Sequence, residues 1–153
     1  MKGERAMSAR AMREDWATPA HVFDPLHAEF RFTIDAAASH DNAKLPRYWT
    51  VDDADALEQP WPEGERVWLN PPYGARNLRV WMQKAYEAAR DRGCTVVCLV
   101  PAYTGQPWWH ECVIDKASDI RWIRGRIKFV GAAGSAPFPS CVVIYRPLTP
   151  AAA

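Results

Sequence analysis

The chain has 153 residues, of which 48% are hydrophobic and 24% charged, a balance typical of a globular protein with a single core. The formal net charge of +1 excludes a strongly basic or acidic chain overall, and no apolar run approaches the roughly 20 residues of a membrane span. No secretory signal follows Met1, so we expect an intracellular protein.

The four cysteines lack the spacing of a metal site. No Cys-x-x-Cys pair occurs, and Cys94 and Cys98 lie within or beside an apolar run. Because an unpaired cysteine usually behaves as a small hydrophobic residue, we expect reduced thiols in the core and no metal.

The predicted elements begin after a charged, mobile N-terminal arm, residues 1–14. Residues 15–148 form the predicted single domain, and 149–153 are a tail. Thr18-Pro19 has the composition of a helix start with Thr18 as the cap, and apolar residues follow at helical spacing up to Phe30. Phe32 to Asp35 then indicates a short strand that ends at the carboxylate of Asp35.

A second predicted strand, Arg66 to Leu69, leads directly into Asn70-Pro71-Pro72-Tyr73-Gly74. The helix that follows is expected to have Asn77 as its cap and to end at Gly93. The continuous apolar run from Thr95 to Val100 is typical of a strand buried on both faces of a mainly parallel sheet.

The last third of the chain predicts a helix from Gln106 to Ala117, an alternating strand from Ile120 to Val130, and a final strand from Cys141 to Tyr145. Strands that alternate with helices indicate an α/β layered fold in one domain. Such sheets bind ligands beyond the carboxyl ends of their strands, so we expect Asp35 and Asn70 to face one crevice.

Asn70-Pro71-Pro72-Tyr73 suits chemistry on an aromatic amino group. The lone pair of such a nitrogen is delocalised into its ring, so a catalyst must accept hydrogen bonds from its N–H groups as it attacks. The side-chain carbonyl of Asn70 and the backbone carbonyl of Pro71, held rigid by Pro72, are two acceptors. Tyr73 offers a flat face for stacking. The alternative is that these residues only terminate the strand, and spacing alone favours neither.

Charge is distributed unevenly along the chain. Between Arg121 and Arg146 there are five basic residues and no acidic one. Arg124, Arg126 and Lys128 share one face of the predicted alternating strand. A local basic patch of this kind can hold phosphates, and a solvated surface is the alternative.

Together these features resemble the phage and prophage-encoded DNA N-6-adenine methyltransferase family, which is related to Dam. Their order and spacing match from about residue 15 to residue 146. The matching segments are Trp16-Ala17-Thr18-Pro19, Asp35-Ala36-Ala37-Ala38-Ser39, Asn42-Ala43-Lys44, Asp55-Ala56-Leu57, Trp61, Asn70-Pro71-Pro72-Tyr73-Gly74, Trp81, Val100-Pro101-Ala102 and Arg124-Gly125-Arg126-Ile127-Lys128-Phe129.

The resemblance implies a Rossmann-like methyltransferase sheet of reduced size and S-adenosyl-L-methionine as the methyl donor. It implies site-specific methylation of N6 of an adenine flipped out of double-stranded DNA, in the cytoplasm of a bacterial host. No separate target-recognition domain is apparent, so DNA contacts are expected from short loops or from the second subunit of a homodimer.

The resemblance also assigns cofactor residues. Asp35 would hold the methionine ammonium, because a charge-assisted hydrogen bond is about twice as strong as a neutral one. The alternative for Asp35 is a cap for the segment after it. Trp16, Thr18 and Pro19 would close over the methionine end, where Thr18 would contact its carboxylate.

Further cofactor contacts follow from the same resemblance. Ala36 begins a run of small residues that replaces the usual glycines, and Asn70 would also lie against the cofactor. Asp55 would contact the cofactor adenine, with Asp52 and Asp53 as alternatives.

For DNA, Arg124, Arg126 and Lys128 would contact phosphates. The alternative is that Arg126 pairs internally with one of the three acids at 52, 53 and 55. Trp109 or Tyr103 could wedge against DNA once a base leaves the stack.

Two other functions stay open. The Asn-Pro-Pro-Tyr loop also serves enzymes that methylate RNA bases or protein glutamines. The absent glycines are compatible with a catalytically decayed DNA-binding phage protein.

Overall fold

The computed structural model describes residues 17–50 and 56–148. Within these ranges one sheet contains six strands: β1 (Ile34–Ala38), β2 (Tyr48–Thr50), β3 (Arg66–Leu69), β4 (Thr95–Pro101), β5 (Asp119–Trp122) and β6 (Ser140–Tyr145). The helices are α1 (Ala20–Phe30), α2 (Ala75–Arg92) and α3 (Pro107–Trp109), which continues as a π-helical segment, His110–Ile114. None of the helices described is long and apolar enough to cross a bilayer.

The strand order is β2-β1-β3-β4-β6-β5. Neighbouring strands from β2 to β4 are parallel, whereas β6 is antiparallel to both β4 and β5. The expected mainly parallel α/β sheet is confirmed. From β1 the chain moves to β2 on one side, and β3 and β4 lie on the other, so the order reverses between β1 and β3. Sheets of this kind bind their ligands at such a switch point.

Each face of the sheet is covered by one apolar layer. Side chains of α2 at helical spacing pack on one face, and side chains of α1 pack on the other, which buries β4 on both sides as expected. The α2 layer includes Leu78, Trp81, Met82, Ala85 and Ala89, and the α1 layer includes Phe23, Leu26 and Phe30.

The predicted boundary of β1 is wrong. The strand begins at Ile34 and continues through Ala38, so Asp35 is its second residue rather than its last. The three alanines are at most 2% exposed, and their small side chains fit inside the sheet between β2 and β3. β1 continues directly after Asp35 and no helix begins there, so the cap alternative for its carboxylate is also wrong.

Two other predicted elements are shorter in the structure. β5 ends at Trp122, and Gly125, at φ +75°, turns the chain where a longer strand was predicted. The predicted helix from Gln106 to Ala117 consists of α3 and its π-helical continuation. The predicted arm at 1–14 and the tail at 149–153 lie outside the described residues.

Candidate active site

The loop after β3 lies at the switch point of the sheet. Asn70 follows Leu69, the last residue of β3, and Pro71 and Pro72 are buried behind it. Gly74 has φ 152° and ψ 137°, a conformation that side-chain-bearing residues rarely adopt, and its carbonyl accepts the first α2 hydrogen bond from Leu78 at 2.8 Å. Gly74 therefore precedes the helix, and the predicted cap Asn77 lies inside it.

The side-chain amide of Asn70 is held at both ends. Its Nδ2 donates to the hydroxyl of Thr18 at 3.3 Å, and its Oδ1 accepts from the hydroxyl of Tyr73 at 2.6 Å. The Tyr73 hydroxyl also lies 3.2 Å from the carbonyl oxygen of Leu99 in β4. Contacts from three parts of the chain thus fix where the amide oxygen points.

The ring of Tyr73 is half-buried among aromatic residues. Its centroid lies 5.6 Å from that of Phe138 and 6.4 Å from that of Phe129, and both pairs meet edge to face. Tyr103 packs on Phe138 from another side at 5.8 Å. Phe129 lies in a segment of the family resemblance, but Phe138 carries no local signal that distinguishes it from any core phenylalanine.

Asp35 contributes a carboxylate that is 3% exposed. Its Oδ1 accepts from the backbone N–H of Ala37 at 3.3 Å, and its Oδ2 accepts from that of Lys44 at 3.1 Å. Both hydrogen bonds stabilise the charged form, because backbone amides donate to it.

Asp35 and Asn70 line one small cavity, so the expectation that they face a single crevice is confirmed. Their chemical roles stay predictions. The other residues of this cavity include Trp68, Asn42 and Lys44, which the sequence reasoning did not assign, although Asn42-Ala43-Lys44 belongs to the family resemblance. The full lining is Ala17, Thr18, Asp35, Ala37, Asn42, Lys44, Trp68 and Asn70.

Thr18 is 2% exposed and reaches the site from the start of α1. Pro19, rather than Thr18, occupies the cap position of α1, so the predicted cap is wrong by one residue. The Thr18 hydroxyl instead contacts Asn70. Just before Thr18, Ala17 and Val130 exchange two backbone hydrogen bonds of 3.1 and 2.9 Å. These bonds hold the start of α1 beside the basic segment, residues 124–128.

Trp16 and Asp55, which the resemblance assigns to the cofactor, lie outside the described residues, as do Asp52 and Asp53. The pairing of Arg126 with one of these acids therefore stays a prediction.

The basic segment presents its cations to solvent. Arg124, Arg126 and Lys128 are exposed, whereas Ile127 and Phe129 are each 2% exposed. The predicted separation of faces is thus confirmed, although the segment is a loop and not a strand. Within residues 17–50 and 56–148, these three cations form no salt bridge or hydrogen bond.

Arg121 differs from the cations that follow it. Its guanidinium makes two hydrogen bonds to the carboxylate of Glu29, at 2.8 and 2.7 Å, and lies 3.4 Å from Asp119. The hydrogen bond with Glu29 raises the pKa of Arg121 and lowers that of Glu29. This cation is already neutralised within the protein.

The prediction that Trp109 wedges against DNA is wrong for this structure. Trp109 is 1% exposed and packs between Trp108, at 5.6 Å, and Trp122, at 6.1 Å. Its ring belongs to the core beside α2.

The four cysteines are unpaired and buried, as expected for core thiols. Burial raises the pKa of Cys141 to about 12 and places that of Cys98 well above its ordinary value. Such thiols stay protonated and unreactive at neutral pH.

Comparison with known proteins adds to this geometry. The family model described as DNA N-6-adenine-methyltransferase (Dam) matches residues 5–151. A curated relative from Escherichia phage T1, named DNA N-6-adenine-methyltransferase, is 30% identical over 114 residues, which are 74% of this chain and 46% of the relative. The chain therefore spans about half the length of the relative that it matches. Because the family model covers nearly the whole sequence, the chain belongs to the DNA N-6-adenine-methyltransferase (Dam) family.

Proposed function

We propose that this protein transfers a methyl group from S-adenosyl-L-methionine to N6 of adenine in double-stranded DNA. The observation that carries the proposal is the amide of Asn70, oriented by Thr18 and Tyr73 at the switch point of the sheet in a member of this family. The proposed setting is the cytoplasm of a bacterial host, for a phage or prophage gene product.

Asn70 and Pro71 supply the acceptors in this proposal. An amide oxygen has two lone pairs. In this proposal, Oδ1 of Asn70 accepts a hydrogen bond from an N–H of the base, either together with the hydrogen bond from the Tyr73 hydroxyl or in place of it. The backbone carbonyl of Pro71 accepts the second N–H. Positive charge develops on the amino nitrogen as it attacks, so both hydrogen bonds strengthen in the transition state, which lowers the barrier.

Tyr73 receives the base. The amino group is inaccessible inside a duplex, so the target adenine leaves the stack. The edge-to-face contacts with Phe129 and Phe138 hold the Tyr73 ring, and its face stacks on the flipped base. A rigid ring loses little conformational entropy when the base arrives.

The residues around Asp35 fit the proposed cofactor. The buried carboxylate complements an ammonium group, and the small side chain of Ala37 lines the same cavity. The Thr18 hydroxyl is a polar partner for a carboxylate. Trp16, Pro19 and Asp55 complete the proposed site by family resemblance. When bound, the cofactor supplies an electrophilic methyl group on a sulfonium.

The proposed DNA contacts lie at the same edge of the sheet. β5 runs parallel to β4, because both are antiparallel to β6, so the chain leaves β5 at the edge where Asn70 follows β3. Arg124, Arg126 and Lys128 are exposed beyond that end and suit phosphate contacts.

Radiolabelled S-adenosyl-L-methionine tests the proposal when it is incubated with the protein and, separately, with DNA, RNA or total cell protein. We expect label in DNA only, recovered as N6-methyladenine after nuclease digestion. Label in RNA or in protein glutamine would assign one of the other substrates. Cofactor binding without transfer to any of the three would indicate a catalytically decayed protein.

Asn70→Ala is the first variant for that assay, and it should lower the label in DNA about 10²–10³-fold. Asn77→Ala, at an exposed position early in α2, should leave the label unchanged.

A further inference from the structure

Trp122 is the last residue of the edge strand β5, and its side chain is 64% exposed. Its ring centroid lies 6.1 Å from that of Trp109 at an interplanar angle of 32°. Trp109 is fixed in turn by Trp108, at 5.6 Å. A large aromatic ring is thus supported from beneath by the core and presented to solvent, as is typical of interaction surfaces.

The register of the sheet places Trp122 level with the loop after β3. Cys141 of β6 pairs with Val100 of β4 on one side and with Trp122 on the other. The last residue of β3, Leu69, pairs with Cys98, two residues before Val100. Trp122 therefore lies at the edge of the sheet where the chain leaves β3 for the loop, three strands away, which is about 14 Å at the usual spacing between strands.

Cations follow Trp122 directly in the chain. Arg124 and Arg126 are exposed on either side of Gly125, whose φ of +75° turns the backbone between them. The nearest cation before Trp122, Arg121, is neutralised by Glu29. Within residues 17–50 and 56–148 neither Arg124 nor Arg126 forms an ion pair. An aromatic ring beside such cations is complementary to unpaired nucleic acid, because the cations hold phosphates while the ring stacks on a base.

We infer that Trp122 stacks on an unpaired base of the DNA near the target adenine, while Arg124 and Arg126 hold the adjoining phosphates. The inference rests on the proposed function, because flipping an adenine exposes the faces of its neighbours and of its former partner. Trp109 supports the contact from below and does not itself touch DNA.

The test measures affinity for a heat-denatured plasmid fragment and for the same fragment as duplex, at several salt concentrations. Trp122→Ala should weaken binding to the denatured strands about tenfold or more, with an unchanged slope of log affinity against log salt. Trp122→Phe, which keeps a stacking face, should stay within about threefold of wild type. Arg121→Ala is the matched control and should bind like wild type.

Because Trp122 packs on Trp109, thermal unfolding of each variant is recorded first. Trp122→Leu keeps apolar contact with Trp109 but offers no ring, so it replaces the alanine variant if that one is unstable. Wild-type affinity of a folded leucine or alanine variant for denatured DNA would overturn the inference.

Sedimentation equilibrium adds a second decisive outcome. If the substitution only separates a dimer into monomers and leaves DNA affinity unchanged, the exposed ring serves self-association and the inference fails. Methyl transfer by the wild-type protein is assayed in parallel. If Trp122→Ala weakens binding to denatured DNA but the wild-type protein never methylates adenine, only the proposed function is contradicted.

Discussion

The hydroxyl of Tyr73 donates a 2.6 Å hydrogen bond to Oδ1 of Asn70. Nδ2 of the same amide donates a 3.3 Å hydrogen bond to the hydroxyl of Thr18. The stacking residue and the acceptor of the proposed reaction are therefore coupled before any base arrives. An acceptor that is already oriented requires less reorganisation during the reaction, which is a main source of catalysis by polar groups.

Asn70→Ala removes the side-chain acceptor. We expect methyl transfer to fall about 10²–10³-fold, the usual effect of one lost transition-state hydrogen bond, with cofactor affinity within a few-fold of wild type. Single-turnover transfer to plasmid DNA and calorimetric titration of the cofactor are the measurements. A variant that keeps more than about a third of wild-type turnover would show that Asn70 is not the acceptor.

Tyr73→Phe keeps the ring and removes only the hydroxyl. The Asn70 amide then loses its hydrogen bond from Tyr73 and keeps the one to Thr18, so we expect transfer to fall about 3–10-fold, as for a net hydrogen bond of about 1 kcal/mol. DNA affinity should not change, because the stacking face is retained. Tyr73→Ala should lower both. Equal DNA affinities for the phenylalanine and alanine variants would argue against stacking by Tyr73.

Asp35→Asn tests the charge of the buried carboxylate. Asparagine keeps one acceptor for the N–H groups of Ala37 and Lys44, so the fold should survive better than with Asp35→Ala. Cofactor binding should weaken by roughly 1.5–3 kcal/mol in both variants, the scale of a hydrogen bond to a charged group. Isothermal titration calorimetry measures it. An unchanged dissociation constant in the asparagine variant would restrict Asp35 to a structural role.

Arg126→Ala should lower the slope of log DNA affinity against log salt by about 1, with little change in sequence preference, because one phosphate contact is lost. Arg121→Ala removes a cation that Glu29 already neutralises and should leave the slope unchanged. Fluorescence anisotropy with labelled duplex at several salt concentrations compares them. If Arg126→Ala instead lowers thermal stability or cofactor binding and leaves DNA affinity unchanged, Arg126 has an internal partner.

Glu65 predicts a pH dependence of stability. Partial burial raises the pKa of its carboxyl, but hydrogen bonds from Thr33 and Arg47 outweigh burial and hold that pKa below its ordinary value of 4.5. Because the pKa of Glu65 is lower in the folded protein, its carboxylate stabilises the fold at a pH above the ordinary pKa. This contribution disappears as the pH falls through the lowered pKa of the folded state.

Glu65→Gln should therefore lower the free energy of unfolding by about 1 kcal/mol at pH 7, a modest value because Arg47 is half-exposed, and by less as the pH falls below 4.5. Urea unfolding of the wild-type protein and of Glu65→Gln at several pH values measures the difference in their free energies of unfolding. Glu63→Gln, whose side chain is 77% exposed and 3.7 Å from Arg92, is the control and should change the free energy of unfolding little. A difference that is constant across pH would contradict the assignment.

Local pattern in the sequence was enough for several features of this protein. The apolar spacing of α1 and α2, the stop at Gly93 and the buried strand before Asn70 follow from periodicity and backbone preference. The exposed Arg126 and Lys128 and the buried Ile127 and Phe129 also follow from alternation, even though the segment is not a strand. Each of these depends on residues close together in the chain.

Tertiary structure alone decided the rest. The alanines after Asp35 suit a helix as readily as a strand, and they are a strand because β2 and β3 pair with β1 on both sides. Trp109 and Trp122 carry the same side chain, yet one is buried and the other exposed, because α3 packs beneath α2 while β5 is the edge of the sheet. The bond between Thr18 and Asn70 joins residues 52 positions apart, and no local pattern encodes it, since it exists only once α1 and β3 have packed together.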